Sequence, residues 1–316
     1  MKIEQIKTVV VVGAGIMGQG IAQNFAQAGL QVRVVDLEAG ALEHSRAQIA
    51  LNIEAFQDFD LLSEPGEAIL ARIRFELAAK LPTVVDGSDF IVEALPEILQ
   101  LKRDLFSQLD ELPRQVILAS NTSSMTISDL AKGMRSPERL IGVHYFNPAH
   151  IIPAVEIHRG SETADNTIDI TMALLKHVGK KPVLVRKEVP GFIINRLTGA
   201  MEREIDYLLD EGIVSPEDLD TAVKASYGFR LACLGPMEAE DMIGLDTAAR
   251  VSGNLFPTLS NATVPSPHLL AKVERGELGI KSGKGWYDYP QGKRDNILDS
   301  NNRRLLSQLK LFNTYL

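Results

Sequence analysis

Apolar residues fall in two different rhythms along this chain. Up to about residue 187, short apolar and β-branched runs alternate with stretches in which apolar positions recur every third or fourth residue. The runs predict strands at 8–12, 31–35, 90–94, 116–120, 140–145, 155–158 and 183–185, with a weaker one near 74–77. Such alternation predicts a doubly wound α/β sheet, parallel at least in its first part. The last strands follow one another with little helix between them, so they are expected to add as an antiparallel edge. The connection from Asp36 to Leu77 is longer than one crossover helix needs. Helical patterning at 41–56 and 65–73, split by Asp58-Phe59-Asp60, predicts a helical excursion over about 41–77. An excursion of this kind either carries substrate contacts or decorates the sheet.

Beyond Lys187 the rhythm is helical throughout. Ile193, Leu197, Met201, Ile205 and Leu208 recur at three- and four-residue spacing, which predicts a buried stripe. Gly212 is placed to stop that helix, and Ser215-Pro216-Glu217-Asp218 supplies a cap, a first-turn proline and two acids for the next. Gly235-Pro236 opens a third helix that ends near Gly244. The pattern therefore divides the chain into an α/β domain over 1–187 and an all-helical domain over 188–316. From Gln291 onward it predicts a polar linker and a short amphipathic helix carrying Arg303, Arg304, Leu305, Leu306 and Leu309.

Composition narrows the partners. With 33 basic against 41 acidic residues and no basic stripe, nucleic acid is not an expected partner. The longest apolar runs are strand-sized, so no membrane span is expected. Residues 1–7 lead directly into the first strand, leaving no room for a signal peptide in the reading. A single cysteine, Cys233, forbids an intrachain disulfide and fits a reducing cytoplasm, the expected location.

The first strand runs into Gly13-Ala14-Gly15-Ile16-Met17-Gly18, a helical pattern follows, and Asp36 ends the second strand. Strand, glycine loop, helix, strand and acid in that order read as a Rossmann-type dinucleotide site. Gly13 allows the tight turn, Gly15 the backbone approach to a pyrophosphate, and Gly18 close helix–strand packing. The helix N-terminus at Ile16 and Met17 then offers N–H groups to the phosphates. The Asp36 carboxylate accepts from ribose hydroxyls and repels a 2′-phosphate, so the cofactor read here is NAD.

Other chemistry gathers where strands end. Ser120-Asn121-Thr122-Ser123-Ser124 follows one strand directly, where ligands bind in such sheets, although a polar turn has the same composition. His144-Tyr145-Phe146-Asn147-Pro148 lies at the end of another. If the chain turns at Asn147-Pro148, Glu156 can meet the His144 imidazole, fix its tautomer and raise its basicity. His150 and His158 are rivals for either role. Asn195 interrupts the apolar stripe, where it pairs either with a substrate oxygen or within the bundle. No Cys/His spacing of a metal site, no Walker loop and no nucleophile elbow is present in the sequence.

Taken together these blocks resemble the 3-hydroxyacyl-CoA dehydrogenase family. The likeness also covers Val92-Glu93-Ala94-Leu95-Pro96-Glu97 with Lys102, Pro190–Leu197, Gly235-Pro236-Met237-Glu238, and Lys281-Ser282-Gly283-Lys284-Gly285-Trp286-Tyr287. It implies a homodimer formed through the helical domain, a small-molecule substrate and a place in fatty acid metabolism. It implies cofactor contacts at Asp36, Glu97, Lys102, Asn121, Ser123, Asn147 and Lys281 in addition to the glycine loop. It implies a catalytic dyad of His144 and Glu156, with Ser123 and Asn195 holding the substrate. One departure stands out. Close acyl-CoA members carry lysines on the excursion, where they meet the nucleotide of CoA; here 47–60 holds no lysine and three acids, Glu54, Asp58 and Asp60. Asn147–Pro153 and Lys187–Phe192 look similar to relatives that oxidise gulonate or carnitine, which are free hydroxy acids. The expected reaction is hydride transfer between NAD and the C3 of an L-3-hydroxyacyl-CoA or related 3-hydroxy acid. The alternatives are a free hydroxy-acid dehydrogenase and a non-catalytic crystallin-like NAD-binding protein.

Overall fold

The computed structural model describes residues 3–290 and 292–315; Met1, Lys2, Gln291 and Leu316 lie outside them. The chain forms two compact units, Met1–Ile193 with Asn302–Lys310, and Ile194–Asn301 with Leu311–Leu316.

The first unit is built on one sheet. Its strands are β1 (Thr8–Val12), β2 (Gln31–Asp36), β3 (Ile73–Leu77), β4 (Phe90–Glu93), β5 (Ile117–Ser120), β6 (Leu140–Tyr145), β7 (Ala154–His158) and β8 (Lys181–Val185). They lie in the order β3-β2-β1-β4-β5-β6-β7-β8. Strands β1 to β6 are parallel, β7 runs antiparallel to β6, and β8 is parallel to β7. The antiparallel step expected at the late edge is therefore the β6–β7 pair, and it aligns His144 with Glu156 in register. Strand order reverses at β1, whose neighbours are β2 and β4. The crevice at the carboxyl ends of such neighbours is where ligands bind in doubly wound sheets.

Helices α1 (Ile16–Gln27), α2 (Ala39–Asp58), α3 (Gly66–Leu70), α4 (Leu81–Val84), α5 (Leu99–Leu109), α6 (Ile127–Leu130) and α7 (Asp165–His177) belong to this unit. Both faces of the sheet are covered. Val9 and Val11 face a layer with Ile21, Phe25 and Val34, whereas Val10 and Val12 face one with Phe106, Leu118 and Ile91. The period-two alternation of a strand sends neighbours in β1 to opposite cores. Two buried faces explain why β1 is apolar at every position from Val9 to Val12.

The excursion after β2 comprises α2 and α3, with Asp60 at φ 55° in the turn between them. A third apolar cluster forms there from Phe56, Ile151 and Leu306, flanked by Phe59, Leu305 and Leu309. Arg303 pairs with Asp58 at 3.2 Å and Lys310 with Asp60 at 3.0 Å. Thus two of the three unusual acids meet cations from the C-terminal segment of the same unit.

The second unit contains α8 (Ile194–Asp210), α9 (Pro216–Ala225), α10 (Tyr227–Leu231), α11 (Pro236–Ile243), α12 (Leu245–Leu255) and α13 (Pro267–Glu274); α14 (Arg294–Tyr315) contributes to both units. Ser215 caps α9 by accepting from Asp218 N–H, as its sequence predicts. The stripe on α8 is corrected by the structure: no residue of that helix is buried, and Leu197 is 59% exposed. The physical reason is that amphipathic helices need a second layer over their apolar faces. Nothing in the described chain buries an apolar side chain of this unit. No helix among the described residues is long and apolar enough to cross a membrane.

Candidate active site

The glycine loop leaves β1 and enters α1 at Gly15, with no side chain capping the helix. Gly13 sits at φ 110°, and a Cβ there would lie 2.5 Å from Ala94 O. A Cβ on Gly18 would lie 1.8 Å from Gly13 O, so only glycine permits this helix–strand approach. At Gly15, by contrast, a Cβ meets nothing within 4 Å. Its surroundings are open, and the first turn of α1 contains no acid. An uncapped helix start beside open space has the donor chemistry to take a pyrophosphate. Asp36 ends β2 and shapes the loop: its Oδ2 accepts from Ala14 N–H at 2.8 Å and its Oδ1 from Glu38 N–H at 3.1 Å. These features fit a dinucleotide.

At the end of β4 lies a buried charge network. Lys102 Nζ donates to Glu93 Oε1 at 2.6 Å and to Leu95 O, and lies 3.1 Å from Glu97 Oε2. Ser120 Oγ donates to the other Glu93 oxygen. Glu97 in turn accepts from Thr122 Oγ1, from Ser123 N–H and Ser124 N–H at 3.0 Å each, and from Ser124 Oγ. Burial alone would raise the Glu97 carboxyl; donation from Thr122 and the Lys102 charge outweigh it and bring it down to about 2. The Lys102 ammonium is enclosed, so its work is to hold two acids that shape the Ser120–Ser124 turn. Asn121 Oδ1 accepts from Tyr145 N–H and ties this turn to the end of β6.

His144 and Glu156 meet across the β6–β7 pair. Nδ1 of His144 is 2.9 Å from Glu156 Oε2, and both side chains are almost fully buried. The second carboxylate oxygen, Oε1, accepts from Ile193 N–H at 3.0 Å. Phe192, at φ 55°, sets its ring 5.5 Å from the His144 ring and stacks on His158 at 3.5 Å. Phe146 flanks His144 on another side, with 4.7 Å between ring centroids. The imidazole is thereby fixed at one nitrogen and walled by aromatics.

The rival histidines differ. His150 is pushed down to about 4 by burial and by Lys180, and its ring lies against Phe56. His158 is likewise pushed down to about 4 by burial, against the opposing pull of Glu156. Both are neutral at pH 7. Glu156 contacts His144, leaving His158 beside the pair without taking its place.

After Asn147 the chain turns through Pro148–Ile152, and Lys180 lies under this turn. Its Nζ donates to Ala149 O at 2.7 Å and to Ile152 O at 2.8 Å, and burial lowers it to about 7. A Cβ on Gly20 of α1 would come within 3.0 Å of Ala149 and His150, so α1 packs directly on the same turn. Ser123 and Asn147 are exposed at the ends of β5 and β6. Asn195, in the first turn of α8, and Lys281, beside the Gly279–Lys284 bridge, belong to the second unit. Sequence reasoning missed Lys180, Phe192 and the Ile193 N–H. In sequence, Gly179-Lys180-Lys181-Pro182 reads as an exposed turn, and a backbone donor has no residue signature.

Comparison with known proteins supports the reading of the fold and its cofactor. Residues 8–189 match the profile of the 3-hydroxyacyl-CoA dehydrogenase NAD-binding domain, and 191–289 match that of the C-terminal domain. The chain is 35% identical over 303 residues to 5-formyl-3-hydroxy-2-methylpyridine 4-carboxylate 5-dehydrogenase of Mesorhizobium japonicum, covering 96% of this chain and 97% of that one. It is 36% identical over 290 residues to 3-hydroxybutyryl-CoA dehydrogenase of Bradyrhizobium diazoefficiens, covering 91% and 97%. A crystal structure of a 5-formyl-3-hydroxy-2-methylpyridine 4-carboxylic acid 5-dehydrogenase, described as an NAD+ dependent dismutase, superposes with a TM-score of 0.90 at 34% identity, covering 98% and 99%. The (S)-3-hydroxybutyryl-CoA dehydrogenase of Ralstonia eutropha superposes with a TM-score of 0.71 at 36% identity, covering 90% and 100%. With both domain profiles matched in order over nearly the whole chain, the protein belongs to the 3-hydroxyacyl-CoA dehydrogenase family and is an NAD-dependent oxidoreductase.

Proposed function

We propose that the protein interconverts a 3-hydroxy and a 3-keto acyl group, with His144 as the acid–base residue. The observation that carries this is the 2.9 Å contact of His144 Nδ1 with Glu156 Oε2 at the carboxyl end of β6. Bound NAD supplies the hydride acceptor for C3. His144 Nε2 takes the proton of the C3 hydroxyl, because Nδ1 is engaged by the carboxylate. Glu156 stabilises the imidazolium that results, and Ile193 N–H keeps that carboxylate in place. Positioned acid–base help of this kind contributes roughly 10²–10⁴ in rate. Ser123, exposed after β5, donates to the reacting oxygen, and Asn147, exposed after β6, would contact the cofactor, a role that rests on the family motifs. The roles given to Asn195, steadying the developing charge, and to Lys281, contacting NAD, rest on the family motifs alone.

A second reading has its own support. Residues 290–316 lie beyond the matched C-terminal profile, and the excursion acids Asp58 and Asp60 pair with Arg303 and Lys310 from that segment. A face so occupied suits a free hydroxy or oxo acid better than a CoA thioester. The relative from Mesorhizobium japonicum, named for a pyridine carboxylate, aligns through 96% of the chain. A cytoplasmic homodimer joined through the helical unit completes the proposal, supported by the apolar faces that this unit leaves exposed.

Steady-state NADH oxidation with acetoacetyl-CoA, free acetoacetate and an aromatic aldehyde carboxylate tests both readings. Turnover of the thioester supports the first, and turnover of only free acids the second. NADH binding with no turnover of any of them overturns both.

A further inference from the structure

We propose that His144, Glu156 and His158 form a binding site for a divalent transition-metal ion of the zinc class, and that an ion held there silences His144. Two imidazoles and a carboxylate are the donor set that such ions select. One donor atom from each of the three lies within 4.8 Å of the other two, and all three residues are buried.

The independent observation is His158 itself. It ends β7, two residues beyond Glu156 and on the same face of the strand. It is 2% exposed, and neither ring nitrogen has a hydrogen-bond partner among the described residues. Buried polar atoms without partners are rare in folded proteins and call for a ligand or a function. Phe192 stacks on the ring and fixes its plane beside that of His144, 6.2 Å away between centroids. The proposed dehydrogenase chemistry gives this imidazole no task.

The geometry is close to what an ion requires. Zinc–nitrogen and zinc–oxygen bonds of about 2.0–2.2 Å in a tetrahedron separate neighbouring donors by roughly 3.3 Å. His144 Nδ1 and Glu156 Oε2 already stand 2.9 Å apart. The third donor, on His158, stands within 4.8 Å of both, so coordination asks for a shift of that ring within the plane that Phe192 sets. Linear spacing hides the site, because the His144 strand and the Glu156–His158 strand meet only through the antiparallel step.

An ion on Nδ1 replaces the proton shared with Glu156. The proton of the neutral ring then resides on Nε2, which can no longer accept one from the substrate. Because the ion sits on Nδ1 and the substrate on Nε2, inhibition by this route lowers kcat and leaves NADH binding intact. That consequence rests on the assignment of His144 as base; the site does not.

The test is titration of the purified full-length protein, without NAD, first with Co²⁺ and then with Zn²⁺. The expected result is one ion per chain with the intense visible absorption of four- or five-coordinate cobalt. His158→Leu is expected to weaken Zn²⁺ binding by at least the roughly 10–100-fold that loss of an outer partner costs. His158→Gln, which keeps size and polarity, should weaken it likewise, and NADH binding reports that both variants are folded. Equal affinity in wild type and both variants, or a cobalt spectrum of the free aqueous ion, overturns the site. His158-dependent binding without inhibition of turnover upholds the site and overturns the base assignment.

Discussion

The two units of this chain solve the problem of burying apolar surface in opposite ways. In the first, Phe25, Phe90 and Phe106 are all fully buried, and β1 loses both faces to solvent-free layers. In the second, Phe229 is 75% and Met242 75% exposed, and α8 buries its stripe residues Met201, Ile205 and Leu208 only in part. Burial of a large side chain is worth about 1.5–3 kcal/mol, so the first unit holds its own fold while the second forgoes that stabilisation among the described residues. The His144–Glu156 pair and the glycine loop lie in the self-sufficient unit. Precise geometry at 2.9 Å is best held where packing over-determines it.

The strongest attack on this division is at the pair. His144→Gln should lower kcat by roughly 10²–10⁴ while the NADH dissociation constant stays near its wild-type value. Near-normal turnover in that variant would place the chemistry elsewhere. Next comes the core beneath it. Phe25→Ala should cost about 3–5 kcal/mol of unfolding free energy by denaturant titration, because it opens a cavity between α1 and the sheet. Phe229→Ala should cost the isolated chain far less. If a second copy covers the helical unit, wild-type melting temperature should rise with protein concentration, whereas an unchanged value on roughly hundredfold dilution refutes that cover.

The same division governs what the sequence could reveal. β1, β6 and the glycine loop were legible because two-sided burial and backbone approach restrict residue type: Val at 9–12, Gly at 13 and 18. The meeting of His144 with Glu156 was legible because a turn at Asn147-Pro148 sets a register. The α8 stripe gave the correct period and the wrong environment, since periodicity shows that a face is apolar and not what covers it. Lys102 looked like an outward contact and is enclosed between Glu93 and Glu97. A charged residue's partners come from tertiary structure, so a lone lysine in sequence reads as surface by default. His158 read as a rival of the pair, and nothing local signals that its ring is instead stacked on Phe192 with no hydrogen-bond partner among the described residues.

Lys180 sharpens the contrast between the units by titration. Burial lowers it to about 7 in the folded chain, against an ordinary lysine near 10.4 when unfolded. Between these values the unfolded chain binds more protons, so stability contributed through this group rises with pH across the window. Below about pH 7 both states are protonated and the contribution is flat. Wild type should therefore gain stability relative to Lys180→Met as pH rises from 7 toward 10, measured by urea midpoints. A parallel course of the two proteins across that range would mean that the ammonium is not buried under the 149–152 turn.

The smallest expected effects lie where the C-terminal segment rests on the excursion. Arg303–Asp58 and Lys310–Asp60 are exposed pairs, and such pairs contribute about 0–1 kcal/mol each, less in salt. Leu306 is 1% exposed against Phe56 and Ile151, and its apolar contact holds the segment more firmly than the charges do. Arg303→Ala with Lys310→Ala should thus change stability little and lose even that difference at high ionic strength. Leu306→Ala should cost about 2–5 kcal/mol, because it empties a buried cluster. Ile151 belongs both to that cluster and to the turn that Lys180 grips, so Leu306→Ala should also raise KM for the hydroxy substrate. Were the double charge variant the more damaging of the two, the segment would be held by electrostatics, and its docking would weaken as salt is raised.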